Sequence, residues 1–225
     1  MSKDTVVITG ANRGIGLELV RHFHERGSRV FGLCRTGSDA LRAAGAEVVD
    51  GVDVTSADAL RAAAERIDVP VDVLIANAGI LTDEPFDTLA DAGSADRLRR
   101  QFDVNAIGPL MTVHAFADHL RDGSKVAVIT SRMGSIADNT SGGRYGYRMS
   151  KAALNAAARS LAVDLAPRGA AVAVLHPGFV RTEMTGGRGH VEPAEAASML
   201  VARIDALTPE TTGTFWHASG EVLPW

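Results

Sequence analysis

Two residues that could exchange a proton lie one helical turn apart in the C-terminal half of the chain. Tyr147 and Lys151 belong to an alanine-rich stretch predicted as helix, which places them on one face. A free tyrosine has a pKa of about 10, and a nearby ammonium lowers it by favouring the phenolate. We therefore predict that Tyr147 exchanges a proton with a carbonyl or alcohol oxygen. Tyr145 is a weaker candidate, because Met149 occupies its i+4 position.

Two further polar residues could take part in the same chemistry. Ser131 follows a predicted strand and precedes the loop that leads to Tyr147, so its hydroxyl could hold a substrate oxygen and stabilise negative charge. Ser135 is the alternative, further into the loop. Asn105 lies inside a predicted helix, where an amide side chain has poor propensity. Its carbonyl could hold a water beside Lys151, although Asn105 taken alone indicates a structural role.

A glycine-rich segment near the N-terminus has a spacing typical of a phosphate-binding loop. TGANRGIG, residues 9–16, follows the first predicted strand directly and opens the first predicted helix. Glycines let the backbone turn tightly and approach a pyrophosphate, which the free N–H groups and dipole of the helix then stabilise. A glycine-rich turn with no ligand is the alternative. From this loop we expect the following residues to bind a dinucleotide: Gly10, Asn12, Arg13, Gly14, Ile15 and Gly16.

The residues after the second predicted strand favour NADP(H) over NAD(H). An NAD site expects a carboxylate here for the ribose 2′-hydroxyl, whereas this chain has Cys34 followed by Arg35. A guanidinium can pair with a 2′-phosphate that a carboxylate would repel, and Arg13 could approach the same phosphate. Asp39 is the nearest acid, predicted in a loop or in the first turn of the next helix. A merely solvated Arg35 is the alternative.

Residues after later strands complete the expected cofactor site. Asp53 could accept a hydrogen bond from the adenine amino group, and Thr182 could bind the nicotinamide carboxamide. An Asn-Ala-Gly turn after the fourth strand would pass over a ribose. The remaining cofactor contacts are expected from this turn and from residues near Asp53 and Thr182: Asn77, Ala78, Gly79, Val54, Pro177, Gly178 and Val180.

Short β-branched runs alternate with alanine-rich helical stretches along the chain. Strands are predicted near residues 6–8, 30–33, 47–49, 71–75, 125–129, 171–175 and 213–216. Helices are predicted near 14–26, 56–66, 95–120, 147–166 and 193–206. Strands that are apolar on both faces, each followed by a helix, indicate a parallel sheet covered on both sides. We therefore predict one α/β domain over residues 1–225, doubly wound and Rossmann-type, with a seven-stranded parallel sheet and helices on both faces.

Composition and charge narrow the class of protein. The chain has 225 residues, 46% of them hydrophobic and 22% charged, with a formal net charge of −4. Without a basic run, neither nucleic acid nor an anionic membrane surface is expected as a partner. One cysteine, Cys34, excludes an internal disulfide and a cysteine-clustered zinc site, and no metal is expected. No signal-peptide pattern or membrane-length apolar stretch is present, so we predict a cytoplasmic location.

Together these motifs resemble the short-chain dehydrogenase/reductase superfamily. The matching segments run in family order along nearly the whole chain: TGANRGIG (9–16), DV (53–54), NAG (77–79), Asn105, Ser131, YRMSK (147–151) and PGFVRT (177–182). The resemblance implies that Ser131 orients the substrate and that Tyr147 is the acid/base. It also implies that Lys151 lowers the tyrosine pKa and binds the nicotinamide ribose, while Asn105 joins a proton relay. Hydride transfer would be direct and metal-free.

Three segments are similar to the carbonyl-reductase branch that includes the sniffer-like and C-factor-like proteins. They are residues 131–155, residues 176–184 and the ending SGEVLPW. Ser131 and Tyr147 are separated by a few more residues than in most of the superfamily, an insertion that this branch shares. Ala76 replaces the first Asn of a common NNAG motif. The loop after Thr182 is short, so the resemblance implies a reduced lid and an open substrate pocket.

The resemblance implies an oxidoreductase that transfers a hydride between NADP(H) and a small carbonyl or alcohol, acting as an aldehyde or ketone reductase. The alternative is an NAD(P)-binding signalling or regulatory protein of C-factor type with little turnover. The intact Ser131, Tyr147 and Lys151 favour the enzyme, because a pure binder does not need all three. Family members also suggest a homodimer through the helices near 95–120 and 147–166.

Overall fold

Seven strands pair in parallel in the computed structural model, which describes residues 4–225. The strand order is β3-β2-β1-β4-β5-β6-β7, so the order reverses between β1 and β4. Ligands of doubly wound folds bind in the crevice at such a reversal. The predicted fold class is confirmed. The strands are β1 (Thr5–Thr9), β2 (Arg29–Leu33), β3 (Glu47–Val49), β4 (Val71–Ala76), β5 (Leu120–Ile129), β6 (Ala171–His176) and β7 (Phe215–His217).

Helices cover both faces of the sheet. In β1, Val7 points into one hydrophobic core, while Val6 and Ile8 point into the other. Side chains alternate between faces along a strand, so a continuous apolar run builds both cores at once. The helices of the first core are α3 (Ala57–Arg66), α5 (Gly108–Ala115) and α6 (Tyr145–Leu165). Those of the second core are α1 (Gly14–Glu25), α2 (Asp39–Ala43) and α7 (Pro193–Asp205).

The helix predicted near 95–120 is interrupted, which corrects the prediction. It consists of α4 (Ser94–Phe102), a π-helical turn (Asp103–Ile107) and α5, and it ends at Ala115. Pro109 has no N–H to donate to the carbonyl four residues earlier, on Asn105, and this loss favours a wider turn there. After a short 3₁₀ turn the chain enters β5 at Leu120, five residues earlier than the strand predicted near 125–129.

Loops at the carboxyl ends of the strands converge on one edge of the sheet. The segment between β5 and α6 contains Ser131 and ends at Arg144, which has a φ of 50°. Arg144 precedes the first residue of α6, so Tyr147 and Lys151 lie in the opening turns of that helix. No helix within residues 4–225 combines the length and hydropathy needed to span a bilayer.

Candidate active site and cofactor cleft

A cleft of about 630 Å³ lies at this edge of the sheet. Most of the predicted cofactor residues line it, together with Tyr147 and Lys151 from α6. Gly178 and Val180 do not. Val180 is buried and forms a bridge with Val191, and its contact with the cofactor stays a prediction. The predicted residues that do line the cleft are Gly10, Asn12, Arg13, Gly14, Ile15, Gly16, Arg35, Asp53, Val54, Asn77, Ala78, Gly79, Pro177 and Thr182.

The glycine-rich loop turns tightly beside the cleft because glycines stand at its closest approaches. Gly10 has a φ of 65°, and its N–H donates to the carbonyl of Leu33 at 3.0 Å. A Cβ on Gly16 would overlap the carbonyl oxygen of Gly10, so glycine is required where the loop enters α1. The side-chain oxygen of Asn12 is buried without a hydrogen-bond partner among the described residues. An unpaired buried acceptor and a glycine cradle at a helix N-terminus fit a dinucleotide.

The turn after β4 is fixed to the glycine-rich loop by hydrogen bonds. The hydroxyl of Thr9 accepts from the backbone N–H groups of Asn77 and Ala78, at 3.1 and 3.2 Å. The amide of Asn77 donates to the carbonyls of Thr9 and Gly10, at 3.1 and 3.2 Å. These bonds hold the Asn77 amide nitrogen in place, and Asn77, Ala78 and Gly79 all line the cleft.

Arg35 is a cation on the rim of the cleft, and it is exposed. Its guanidinium makes no hydrogen bond or ion pair with any residue from 4 to 225, whereas Arg13 is paired with Glu183. Cys34 occupies the position of the acid in an NAD site. Its thiol is buried, and burial followed by the nearby Asp50 carboxylate raises its pKa to about 11. The thiol is therefore protonated and offers no charge to a ribose.

Asp53 lines the cleft and forms a small polar network. One carboxylate oxygen accepts from the Thr55 N–H at 2.9 Å and from its hydroxyl at 2.7 Å. The other oxygen lies 3.4 Å from Arg100, which also lines the cleft. The Thr55 hydrogen bonds, and then Arg100, hold the pKa of Asp53 below its usual value. An ionised carboxylate here fits an amino group such as that of adenine. Sequence reasoning missed Arg100.

Lys151 is buried behind the cleft, 4% exposed, and its Nζ donates to the carbonyl of Ile129 at 2.9 Å. Nζ lies 5.9 Å from the centre of the Tyr147 ring. Burial lowers the pKa of Lys151 to about 7 because the charged form loses its hydration. A Cβ on Gly79 would come within 3.8 Å of Nζ, so a side chain there would close the approach to the amine.

The predicted lowering of the Tyr147 pKa by Lys151 together with an oxidised nicotinamide stays a prediction; among the protein's own groups, Lys151 is not one that lowers it. Burial is the largest influence on Tyr147 and raises its pKa. The hydrogen bond from Ser131 and the charge of Arg144 lower it only in part. Lys151 contributes little because its own burial disfavours the ammonium form. Tyr147 is consequently a neutral phenol, the form that donates a proton.

Ser131 lies two residues beyond β5 and is 7% exposed. Its hydroxyl interacts with Tyr147 and accepts from the N–H of Met133 at 3.1 Å. The alternative, Ser135, uses its hydroxyl elsewhere: it donates to the carbonyl of Trp225 at 3.0 Å and accepts from the N–H of Asp138 at 3.0 Å. Ser131 is therefore the serine that the structure brings to Tyr147.

Asn105 is fully buried in the π-helical turn, and its side chain is completely engaged. The amide oxygen accepts from the N–H of Ile80 at 2.8 Å, and the amide nitrogen donates to the carbonyl of Ile80 at 2.9 Å. The nitrogen also lies 3.1 Å from the hydroxyl of Ser150. These bonds fit a structural role for Asn105. Its part in a proton relay stays a prediction.

The arrangement combines a proton donor, a hydroxyl beside it and a cleft suited to a dinucleotide. A substrate oxygen placed between Ser131 and Tyr147 would receive a hydrogen bond from one and a proton from the other. Within residues 4–225, no group of three or more His, Cys, Asp or Glu side chains could hold a metal ion. Cleft residues that sequence reasoning did not assign to the site include Ile80, Thr130 and Glu183.

Two curated relatives are similar to this chain along much of its length. The 1-hydroxy-2-glutathionyl-2-methyl-3-butene dehydrogenase of Rhodococcus sp. (strain AD45) is 41% identical over 232 residues, which cover 98% of this chain and 99% of that protein. The C-signal protein of Myxococcus xanthus is 46% identical over 139 residues, which cover 61% of this chain and 83% of the relative.

Solved structures and a family model agree with these relatives. The carbonyl reductase Sniffer of D. melanogaster superposes with a TM-score of 0.90 at 28% identity, over 100% of both chains. An NADPH-bound carbonyl reductase from chicken fatty liver superposes with a TM-score of 0.89 at 27% identity, also over 100% of both chains. The model of the short chain dehydrogenase family matches residues 4–192. The chain therefore belongs to the short-chain dehydrogenase/reductase superfamily of oxidoreductases, in the branch of the carbonyl reductases.

Proposed function

We propose that this protein is an NADP(H)-dependent carbonyl reductase in which Tyr147 donates the proton. One observation carries the proposal: Tyr147 lines a cleft that fits a dinucleotide, and Ser131 lies near enough to interact with its hydroxyl. A neutral phenol is the form that gives a proton to the carbonyl oxygen during reduction. The substrate is a small molecule with an aldehyde or ketone group.

Each catalytic side chain has a role that follows from its position. The bound cofactor supplies a hydride to the carbonyl carbon. Ser131 holds the carbonyl oxygen against the phenol of Tyr147, which gives that oxygen its proton. Lys151 lies deeper, bonded to Ile129, where its amine can hold ribose hydroxyls near Gly79. Asn105 is proposed as a relay residue through its place beside Ser150.

The preference for NADP(H) over NAD(H) rests on the rim of the cleft. Arg35 presents an unpaired guanidinium, and the neutral Cys34 stands where an NAD site would place a carboxylate. The Arg35 guanidinium attracts an anionic 2′-phosphate, and the neutral Cys34 thiol does not repel it. The structural neighbour from chicken fatty liver binds NADPH, which supports the same preference. Thr182 and Pro177 are proposed to contact the nicotinamide end.

A second candidate is a nucleotide-binding signalling protein with little turnover. The similarity to the C-signal protein of Myxococcus xanthus favours it. The two candidates differ in whether Tyr147 is ever used as an acid, since binding alone needs the cleft but not the phenol.

The test follows NADPH oxidation at 340 nm with a panel of aldehydes, ketones, quinones and dicarbonyls. A glutathione conjugate carrying a primary alcohol is added with NADP⁺, because the Rhodococcus relative is named for such a substrate. We expect turnover with at least one carbonyl compound and slower turnover with NADH. Tight NADPH binding without turnover of any compound would reject the reductase and leave the signalling protein.

A homodimer and a cytoplasmic location complete the proposal. Three apolar side chains on or beside the expected dimer helices are exposed: Ile107 at 49%, Leu110 at 38% and Val163 at 60%. A surface of this kind supports burial against a second copy. Light scattering at several concentrations tests the dimer, with Val163→Glu expected to weaken it. Localisation of the tagged protein tests the compartment.

A further inference from the structure

The segment after β7 folds back along that strand. The N–H of His217 donates to the carbonyl of Glu221, and the N–H of Leu223 donates to that of Phe215, both at 2.8 Å. Leu223 is 3% exposed, so the returning segment is anchored in the hydrophobic core. We call residues 218–225 the C-terminal strap. It brings Trp225 beside the loop that begins at Ser131.

Trp225 holds that loop through its backbone oxygen. Its ring stacks on Phe215, with centroids 5.4 Å apart and planes inclined by 29°. Its backbone oxygen accepts from the N–H of Ile136 at 3.1 Å, the N–H of Ala137 at 2.9 Å and the hydroxyl of Ser135 at 3.0 Å. Three donors from consecutive residues thus converge on one oxygen, and the ring stack fixes where that oxygen lies.

The bonded residues connect to Ser131 through a tight turn. Ser135 donates its N–H to the carbonyl of Arg132 at 2.9 Å, and Gly134 donates to that of Ser131 at 2.8 Å. On the other side, a Cβ on Gly134 would lie 2.8 Å from the carbonyl carbon of Lys151, so the turn presses directly against α6. The turn is held between α6 and the strap.

The loop's other polar anchors lie further along, where the Arg148 side chain donates to the carbonyls of Gly142 and Gly143 and to the hydroxyl of Ser141. The side chain of Ile136 is 81% exposed, so hydrophobic burial does not hold it. Residues 139–142 are exposed as well. The second tie to the strap is the ion pair between Arg132 and Glu221 at 2.6 Å, which is solvent-exposed and therefore weak.

We propose that Trp225 is a positioning residue for catalysis: its backbone oxygen and stacked ring hold the loop that keeps Ser131 against Tyr147. Trp225 does not line the cofactor cleft, so it acts through the loop that carries Ser131. A misplacement of about 1 Å in a catalytic group can reduce a rate about a hundredfold. The inference rests on the proposed function, because it assigns the strap to the serine that orients the substrate.

The test compares two damaged variants with one conservative variant: a chain that stops at Pro224, Trp225→Ala, and Trp225→Phe, which keeps an aromatic ring on Phe215. With 9,10-phenanthrenequinone as the probe substrate, kcat/KM is expected to fall on the order of tenfold in the first two. Trp225→Phe is expected to retain most of the wild-type kcat/KM. The Kd for NADPH is expected to stay unchanged, because no strap residue lines the cleft.

The pH profile separates positioning from loss of stability. The hydrogen bond from Ser131 lowers the pKa of Tyr147, so a loosened serine should move the alkaline limb of kcat/KM to higher pH. A purely structural role would lower the melting temperature and leave the limb where it was. An unchanged limb and unchanged kcat/KM in the chain ending at Pro224 would overturn the proposal.

Two readouts do not need turnover, so they distinguish failure of the reductase assignment from failure of the strap proposal. Hydrogen exchange should show that the Ile136 and Ala137 amides lose protection in the shortened chain while the core strands keep theirs. The chain has two tyrosines, so in a Tyr145→Phe background ultraviolet titration reports Tyr147. Its pKa should rise when Trp225 is removed. An inactive wild type rejects the proposed function, and retained protection or an unmoved tyrosine pKa rejects the strap.

Discussion

Replacing Arg35 with alanine tests how this chain recognises the 2′-phosphate of NADP(H). Arg35 is exposed on the rim of the cleft, and its guanidinium has no partner in the part of the chain that the structure describes. Arg13 lies on the same rim but is paired with Glu183. A phosphate therefore meets Arg35 without breaking an ion pair, whereas Arg13 must first leave Glu183. We expect Arg35 to contribute more than Arg13.

The magnitude follows from one charge-assisted contact. A hydrogen bond to a charged group contributes about 1.5–3 kcal/mol, and about 1.4 kcal/mol changes Kd tenfold. Arg35 is exposed and screened by salt, so the lower end applies. Arg35→Ala should weaken NADPH binding about tenfold, and Arg13→Ala about threefold. Neither should change the Kd for NADH, which has no 2′-phosphate.

Isothermal titration of each variant with NADPH and NADH measures these affinities. Arg42→Ala is the matched control, because Arg42 lies near Asp39 and Asp50 and does not line the cleft. The loss in Arg35→Ala should shrink as salt is raised, since screening weakens the interaction that was removed. Equal losses for NADPH and NADH, or no loss for either, would refute the assignment of Arg35 to the phosphate.

Three further outcomes are expected. Burial lowers the pKa of Lys151 from 10.5 to about 7. The cost of burying this amine in the folded state is therefore largest below about pH 7 and declines to nothing as the pH rises towards about 10.5. In urea unfolding, the free energy of unfolding of Lys151→Met relative to that of the wild type should therefore be more favourable at about pH 6 than at about pH 9.5. A difference that does not change with pH would contradict this. Arg144→Gly should stabilise the fold by about 1 kcal/mol by relieving the φ of 50°, and a lower melting temperature would speak against strain. Gly16→Ala should weaken NADPH binding by at least about tenfold, because its Cβ would overlap the Gly10 carbonyl oxygen; an unchanged Kd would contradict the cradle.

The parts of the fold that were predictable depend on local periodicity. Apolar runs such as Val6 to Ile8 build both cores of a parallel sheet, so the strands and their fold class follow from pattern. The glycine-rich loop was also predictable. A side chain at Gly16 would overlap the Gly10 carbonyl oxygen, so the loop requires glycine there and is visible in the sequence as a glycine spacing. The break in the long helix was missed, although Pro109 is a local signal that could have revealed it.

The parts of the site that were not predictable depend on distance in the chain and on burial. Arg100 pairs with Asp53 across 47 residues, and Trp225 reaches Ser135 across 90. No spacing rule links such residues. The pKa of Tyr147 depends on how deeply its hydroxyl is buried, and sequence shows only that Lys151 is one turn away. Proximity in sequence therefore predicted the pair but not the rise in the Tyr147 pKa that burial causes.

The most direct test of the central assignment compares Tyr147→Phe with Tyr145→Phe. Both variants lose one phenol hydroxyl, but only Tyr147 lies beside Ser131. With NADPH and a carbonyl substrate identified from the panel, Tyr147→Phe should lose activity on the order of a hundredfold to ten-thousandfold, with its Kd for NADPH unchanged. Tyr145→Phe should stay close to the wild type. Undiminished turnover in Tyr147→Phe would contradict its role as the proton donor.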